Sequence, residues 1–255
     1  MDCCSGAILE VENLSKRFGG IVAAHGVSFR VRRGEILALI GPNGAGKTTI
    51  FNLLTGLLVP DRGSIRLEGR LLNGLPPYRI AGLGVARTFQ NLQLFPSMTV
   101  LENVLVGLHL ELSVGFWRGL VGRNGRAVAE ADGRVRGLLD RLGLEGLADR
   151  PVGALPLGQQ RLVEMARAMV SGPRLLLLDE PTAGLDAEET RGLISFLREL
   201  RGSGEVAVVL VEHHMETVME VADRVVALHF GRVIAEGPPE EVQRDPGVIE
   251  AYLGA

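Results

Sequence analysis

Two rhythms of apolar residues run through the first forty positions of the chain. "ILEVENLSKRF" alternates apolar with polar positions, the pattern of a half-buried β-strand, and "GVSFRVRRGEILALIG" continues with two more strands. Its last part, "EILALI", is an unbroken apolar run ending in a glycine-rich loop, which predicts a central parallel strand. "KTTIFNLLTGLLVPDRG" places apolar residues at helical spacing and stops at a Gly, Pro and Asp breaker; "GSIRLEGRLL" predicts a further strand pair or sheet edge. From about residue 97 to 157 the period becomes helical in "TVLENVLVGLHLEL" and "RAVAEADGRVRGLLDRLGLEGLADR", with the Gly/Arg-rich "VGFWRGLVGRNGR" between them. That predicts a helical insertion containing a loop. "RLLLLDE" and "VAVVLVEHH" return to buried parallel strands, each followed by a helical stretch, and "DRVVALHFGRVIAEG" predicts a closing hairpin before an amphipathic tail. Apolar strands alternating with helices make an α/β fold.

The 255 residues suffice for one large domain or two small ones. Aromatics are only 4% against 46% hydrophobic residues, so the core is aliphatic, which favours helices layered on a parallel sheet. A net charge of −3 argues against the basic face of a nucleic-acid binder, and no nucleic-acid partner is expected. Lysine occurs only at Lys16 and Lys47, so nearly all of the 27 basic residues are arginine. A composition bias accounts for that, yet it sets Lys47 apart, because a compact ammonium reaches between phosphates as a guanidinium does not. Both cysteines, Cys3 and Cys4, lie in the opening "MDCCSG", too close to build a disulfide framework or metal set, which fits a reducing compartment. With no apolar run of about 18 residues and no signal-peptide pattern, the expectation is a soluble chain, or one docked on a membrane through a partner.

"GPNGAGKTT" fits G-x-x-x-x-G-K-[ST] with Gly41, Gly46, Lys47 and Thr48, and Pro42, Asn43, Gly44, Ala45 and Thr49 complete the segment. A glycine-rich turn could carry the same letters, but this one follows a predicted strand and opens a predicted helix, the setting of a phosphate-binding P-loop. The glycines let backbone N–H groups point inward at phosphate oxygens, and the helix adds its positive dipole end. Lys47 would neutralise the β- and γ-phosphates of ATP and the Thr48 hydroxyl would ligate Mg²⁺. In "LLLLDE", Asp179 at the strand end would hold the Mg²⁺ shell and Glu180 would act as general base on the attacking water. The plainer alternative is a pair of solvated acids at a strand end. A nearby P-loop weighs against it, since parallel-sheet ligands bind at that edge.

With these motifs in this order, the chain resembles the ATP-binding subunits of ABC transporters over nearly its whole length. That resemblance implies a P-loop NTPase fold: a RecA-like parallel-sheet core, an N-terminal antiparallel β subdomain and an inserted α-helical subdomain. It implies a single domain over 7–255, with the nucleotide-binding core and β subdomain in 7–90 and 162–238. The helical subdomain with the signature loop takes 91–161, and a C-terminal tail takes 239–255. It implies that Phe18 in "KRFGG" stacks on adenine, the alternative being a core phenylalanine. It assigns Gln90 to the Q-loop, contacting Mg²⁺ and the attacking water; Asp186 in "AGLD" to the D-loop, the alternative being a helix N-cap; and His213 in "VLVEHH" to the γ-phosphate switch, in preference to His214. His25, His109 and His229 are expected to serve packing or surface.

"LPLGQQR" then reads as the signature loop, in which Leu155, Gly158 and Gln159 face the nucleotide of a partner subunit. Pro156 and Leu157 depart from the family's Ser and Gly. Pro156 has neither hydroxyl nor N–H but suits an early helical position, so the clamp is expected to be weakened. "FGG", "ARTFQNLQLFPSMTVLENVLVG", "GQQRLVEMARAMV" and "VIEAYLG" resemble the ATPases of branched-chain amino-acid importers; importers of urea or amides share much of this. Implied partners are a second ABC ATPase subunit, the same or related, two membrane permeases and, indirectly, a periplasmic or extracellular solute-binding protein. The implied location is peripheral, on the cytoplasmic face of the cell membrane. Leu92, Leu94 and Phe95 would line the groove for a permease helix, or else belong to helical core. A soluble ABC ATPase of DNA repair or the ribosome is the rival reading. The stretch from Lys47 to Gly158 is too short for the long coiled coils of the repair enzymes, and the chain carries one such domain, not two in tandem. A P-loop kinase would leave Gln90, the GQQR segment and His213 unexplained.

Overall fold

A computed structural model describes residues 6–89, 92–109 and 125–253, with side chains from 129 in the last segment. Among the described residues the strands are β1 (Ala7–Phe18), β2 (Ile21–Arg32), β3 (Ile36–Ile40), β4 (Arg62–Leu67), β5 (Arg70–Leu71), β6 (Val85–Arg87), β7 (Leu175–Asp179), β8 (Ala207–Val211), β9 (Arg224–His229) and β10 (Arg232–Gly237). The helices are α1 (Lys47–Leu54), α2 (Pro77–Ala81), α3 (Val100–Leu105), α4 (Gly125–Arg141), α5 (Leu157–Met169), α6 (Ala187–Ser203), α7 (Met215–Val221), α8 (Pro239–Gln243) and α9 (Pro246–Leu253). A four-stranded sheet has the order β2-β1-β4-β5, and a six-stranded sheet the order β10-β9-β3-β8-β7-β6.

The chain divides into two compact units. The first holds residues up to Val85, Arg174–Glu180 and everything from Arg198 onward; the second holds Ala86–Pro173 and Pro181–Leu197. The helical subdomain expected over 91–161 falls inside the second unit, which also takes in α5 and the first part of α6.

In the first unit, β1 pairs antiparallel with β2 and β4; its alternation turns Leu9 and Val11 inward, and a register irregularity at Asn13, φ +50°, brings Leu14 inward as well. β3, β7 and β8 are buried at every position, which is why their sequences are continuous apolar runs and not alternating ones. β3 runs parallel to β8 and to β9, and β8 parallel to β7. The C-terminal ends of β3, β8 and β7 therefore open on one edge, where parallel sheets bind ligands. β10 closes against β9 as the antiparallel hairpin expected from its sequence.

In the second unit, Thr99 caps α3 and Glu102 returns the bond to the Thr99 N–H, a reciprocal capping box. Asn103, fully buried, accepts from the Phe95 N–H at 2.9 Å and donates to the carbonyls of Phe95 and Thr99, shaping the segment before α3.

Candidate functional site

The P-loop leaves the end of β3. Gly41 has φ +148°, and a Cβ there would lie 2.2 Å from the Leu228 carbonyl oxygen. Gly46 has φ +103°, and a Cβ would lie 2.3 Å from the Ala23 oxygen. Both positions exclude a side chain twice over, by torsion and by space. Gly46 is the N-cap of α1, whose first turn carries neither an acidic residue nor a side-chain cap, so its N–H groups and dipole end suit an anion. Asn43, Gly44 and Thr48 are exposed, Pro42 and Thr49 half-buried, and Ala45 buried. Lys47 is buried, and its Nζ donates to the Gly41 carbonyl at 2.5 Å and the Pro42 carbonyl at 3.0 Å. Burial pushes its ammonium below the ordinary lysine range, and the negative charges of Glu180 and then Asp179 resist that push.

Asp179 ends β7 and is buried. The next residue, Glu180, stands at φ +50°, a left-handed conformation that a non-glycine residue adopts only under constraint. Its N–H donates to the Val211 carbonyl at 2.9 Å, locking it beside the end of β8. His213, just past β8, brings Nε2 to 2.7 Å from Oε1 of Glu180. Glu212, 1% exposed, accepts the His213 N–H at 3.1 Å through Oε2 and lies 3.5 Å from Nδ1 of His214. His214 itself is 69% exposed, so of the two histidines it is His213 that meets the glutamate. A carboxylate and an imidazole in contact, both partly open to water, can accept a proton and orient a water molecule.

Mg²⁺ prefers hard oxygen ligands and takes one or two from protein while phosphates supply others; the Thr48 hydroxyl and the Asp179 carboxylate are donors of that class. They would hold the ion, which would supply positive charge against phosphates bound at the P-loop.

Phe18, at the end of β1, is 45% exposed and so is no core residue; the Lys16 ammonium lies 5.7 Å from its ring centroid. Lys16 is held by Asp61 at 2.9 Å and the Val59 carbonyl at 2.8 Å.

In the second unit, Pro156 departs from the early helical position expected of it. It is the N-cap, in an extended conformation at ψ 153°, and its carbonyl accepts the Gln160 N–H at 3.0 Å. The reason is local: the carbonyl of an N-cap already takes part in the first turn, while the missing N–H of proline costs nothing there. Leu155 is buried, Leu157 exposed and Gln159 half-buried. Gly158 is buried against the start of the next segment, where a Cβ would lie 2.2 Å from Oε2 of Glu189 and 3.0 Å from the Gly184 oxygen. Asp186 caps α6: its Oδ1 accepts from the N–H groups of Glu188 and Glu189 at 2.8 Å each, and Glu189 Oε2 accepts the Asp186 N–H at 3.0 Å.

Gln90 lies outside the described residues, as do Cys3 and Cys4. Phe95 is exposed while Leu92 and Leu94 are half-buried; His25 and His109 are exposed and His229 half-buried. Four residues that the motifs do not mark also bear on these segments. They are Glu212 behind His213, Glu189 beneath Gly158, Tyr252, and buried Glu164. The hydroxyl of Tyr252 accepts the Gly41 N–H at 2.9 Å. Glu164 accepts the N–H groups of Gln93 and Phe89 on either side of the Q-loop. Glu164 and Glu212 show only as charged letters beside apolar runs, Glu189 only as one acid in the polar run "DAEETR", and Tyr252 only as part of "VIEAYLG".

Residues 24–183 match the family described as ABC transporter, and residues 232–255 the one described as Branched-chain amino acid ATP-binding cassette transporter. Among curated proteins, the high-affinity branched-chain amino acid transport ATP-binding protein BraF of Pseudomonas aeruginosa is 45% identical over 252 residues, covering 98% of this chain and 99% of that protein. The corresponding protein LivG of Salmonella typhimurium is 46% identical over the same shares. Among solved structures, the ADP conformation of an ATP-binding cassette of an ABC transporter superposes with a TM-score of 0.84 at 33% identity, covering 98% of this chain and 99% of that one. A nucleotide-free cassette matches with the same score and identity.

Proposed function

Because the chain belongs to the ATP-binding proteins of ABC transporters, we propose that it is the ATP-hydrolysing motor of an importer for branched-chain amino acids. Proteins of this family hydrolyse ATP to power transport, and this chain is an ATPase of that kind. The observation that carries the finer reading is the contact of His213 with Glu180 on the sheet edge where Lys47 and Asp179 converge. There Lys47, the P-loop amides and Thr48 bind Mg²⁺-ATP, Asp179 serves the ion, Glu180 takes a proton from the attacking water and His213 orients it. Phe18 offers its exposed ring to adenine.

The domain over 7–255 works as a pair. Gly158, Gln159 and Asp186 of one subunit face the nucleotide held by the other, with buried Leu155 supporting the loop from within its own subunit, while Gln90 reports to the permeases at the cytoplasmic face of the membrane. A solute-binding protein acts on the same complex from the far side. The extent of the branched-chain likeness, which runs to the last residue of the tail, favours that substrate class over urea or amides.

Co-expression with branched-chain amino-acid permease subunits and reconstitution in proteoliposomes tests the reading. ATP-dependent uptake of leucine, isoleucine or valine is the expected result. Uptake of amides alone would move the substrate, and co-purification with ribosomes or DNA in place of permeases would overturn the transporter assignment.

A further inference from the structure

The first residue of the P-loop is held from two sides. The N–H of Gly41 donates to the hydroxyl of Tyr252 at 2.9 Å, and its carbonyl accepts from Nζ of Lys47 at 2.5 Å. Gly41 is buried, and its φ of +148° leaves the strand in a conformation that other residues rarely adopt. Its two peptide groups are thus each pinned by one polar contact, and the torsions between them aim the rest of the loop.

Tyr252 belongs to α9, 211 residues further along the chain. Val248 of the same helix packs into an apolar cluster with Ala38 and Ile40 of β3 and Val225 and Ala227 of β9. These contacts seat the helix without help from the hydroxyl. The hydroxyl adds something different in kind: an acceptor for a backbone N–H at a buried strand end, which is costly to leave unpaired. Burial pushes the Tyr252 hydroxyl above the ordinary tyrosine range, against the pull of the Gly41 N–H, so it stays protonated at physiological pH.

The two ties differ once nucleotide arrives. A P-loop lysine serves the β- and γ-phosphates, and the three donors of the Lys47 ammonium must then be shared between phosphate oxygens and the Gly41 and Pro42 carbonyls. The tie from Tyr252 is not shared with the nucleotide in this way. We propose that Tyr252 is a positioning residue of the nucleotide site, through which the C-terminal helix holds the entrance of the P-loop in its phosphate-binding shape. This rests on the ATPase reading above.

The test is Tyr252→Phe, which removes the hydroxyl and keeps the ring, with Leu253→Ala as a control on the same helix, where the side chain is 82% exposed. ATPase kinetics, MgATP binding by calorimetry and melting with and without MgATP are compared with wild type. The expected result is a KM and Kd for MgATP raised about two- to tenfold, the worth of one ordinary hydrogen bond, with kcat nearly unchanged and a smaller MgATP-induced rise in melting temperature. Leu253→Ala should match wild type in all of these. If Tyr252→Phe only lowers the melting temperature and leaves KM and Kd at wild-type values, the hydroxyl merely staples the tail and the proposal fails. A kcat that falls with KM unmoved also overturns it. Wild-type protein that neither binds nor hydrolyses MgATP would instead overturn the ATPase reading itself.

Discussion

Nε2 of His213 lies 2.7 Å from Oε1 of Glu180, and the two residues reach each other from the ends of adjacent parallel strands, β8 and β7. The contact depends on an unfavourable backbone. Glu180 sits at φ +50°, and the bond from its N–H to the Val211 carbonyl holds it there. Strain of this kind persists where surrounding structure over-determines a residue. Here it turns the glutamate out of the line of β7 toward His213, while Asp179, one residue earlier, stays buried.

Glu180→Gln keeps the shape of the side chain and removes its ability to take a proton. ATP turnover should fall by about 10²–10⁴-fold, the usual worth of a general base, while MgATP binding persists. ATP should also hold the variant as a dimer, read by size-exclusion chromatography with light scattering. Undiminished turnover would remove Glu180 from the role of base.

Gly158 tests whether the signature loop is shaped within its own chain. An alanine Cβ would meet Oε2 of Glu189 at 2.2 Å and the Gly184 oxygen at 3.0 Å. The Glu189 carboxylate can swing away only by giving up its bond to the Asp186 N–H, and the Gly184 oxygen is backbone. Gly158→Ala should therefore lower the melting temperature of the isolated subunit without nucleotide, at a cost below the roughly 1–3 kcal/mol of a core overpacking. Because Glu189 is the nearest obstacle, Gly158→Ala combined with Glu189→Ala should cost less than the two single changes added together. Strict additivity in that thermal-melting cycle would show that the close approach carries no energy.

What could be read along the chain and what could not separate by range. β3, β7 and β8 were legible because a strand buried on both faces has no polar positions to spare. The P-loop was legible because its glycines, lysine and threonine act within nine consecutive residues. The start of β2 at Ile21 was not: Ile21 and Val22 are exposed, and their pairing with β1 comes from the turn at Gly19 and Gly20. The capping role of Asp186 stood as one of two readings, and its partner Glu189 shows no mark of the second contact, with Gly158, that it also makes. Tyr252 meets Gly41 across 211 residues, a relation that no local spacing encodes.

Glu164 gives a pH dependence of definite sign. Burial, the largest influence, pushes its carboxyl above the ordinary value of 4.5, although the charge of Arg167 pulls it down. A carboxyl whose folded value is raised binds its proton more tightly in the folded state. Its contribution to stability is therefore full below 4.5 and is lost as pH rises through the folded value. Glutamine at this position does not titrate, and its side-chain oxygen can still accept the N–H groups of Gln93 and Phe89. The melting temperature of Glu164→Gln minus that of wild type should rise as buffers are stepped from about pH 4 to about pH 7. A difference that is flat or falls across that range would contradict the raised value.

Pro156→Ser separates two effects that the signature loop combines. Proline at the N-cap of α5 provides no side-chain acceptor, so the first turn of the helix lacks a cap that serine would supply. That alone should stabilise the isolated subunit by about 0.5–2 kcal/mol, visible as a higher melting temperature without nucleotide. The same hydroxyl would restore a donor toward the phosphate of a partner's ATP, and a hydrogen bond to a charged group is worth about 1.5–3 kcal/mol. ATP-dependent dimerisation in the Glu180→Gln background should then tighten by roughly tenfold or more. A higher melting temperature with unchanged dimerisation would confine position 156 to helix capping. Tighter dimerisation with an unchanged melting temperature would show that the serine acts on the partner's nucleotide and adds no cap to its own helix.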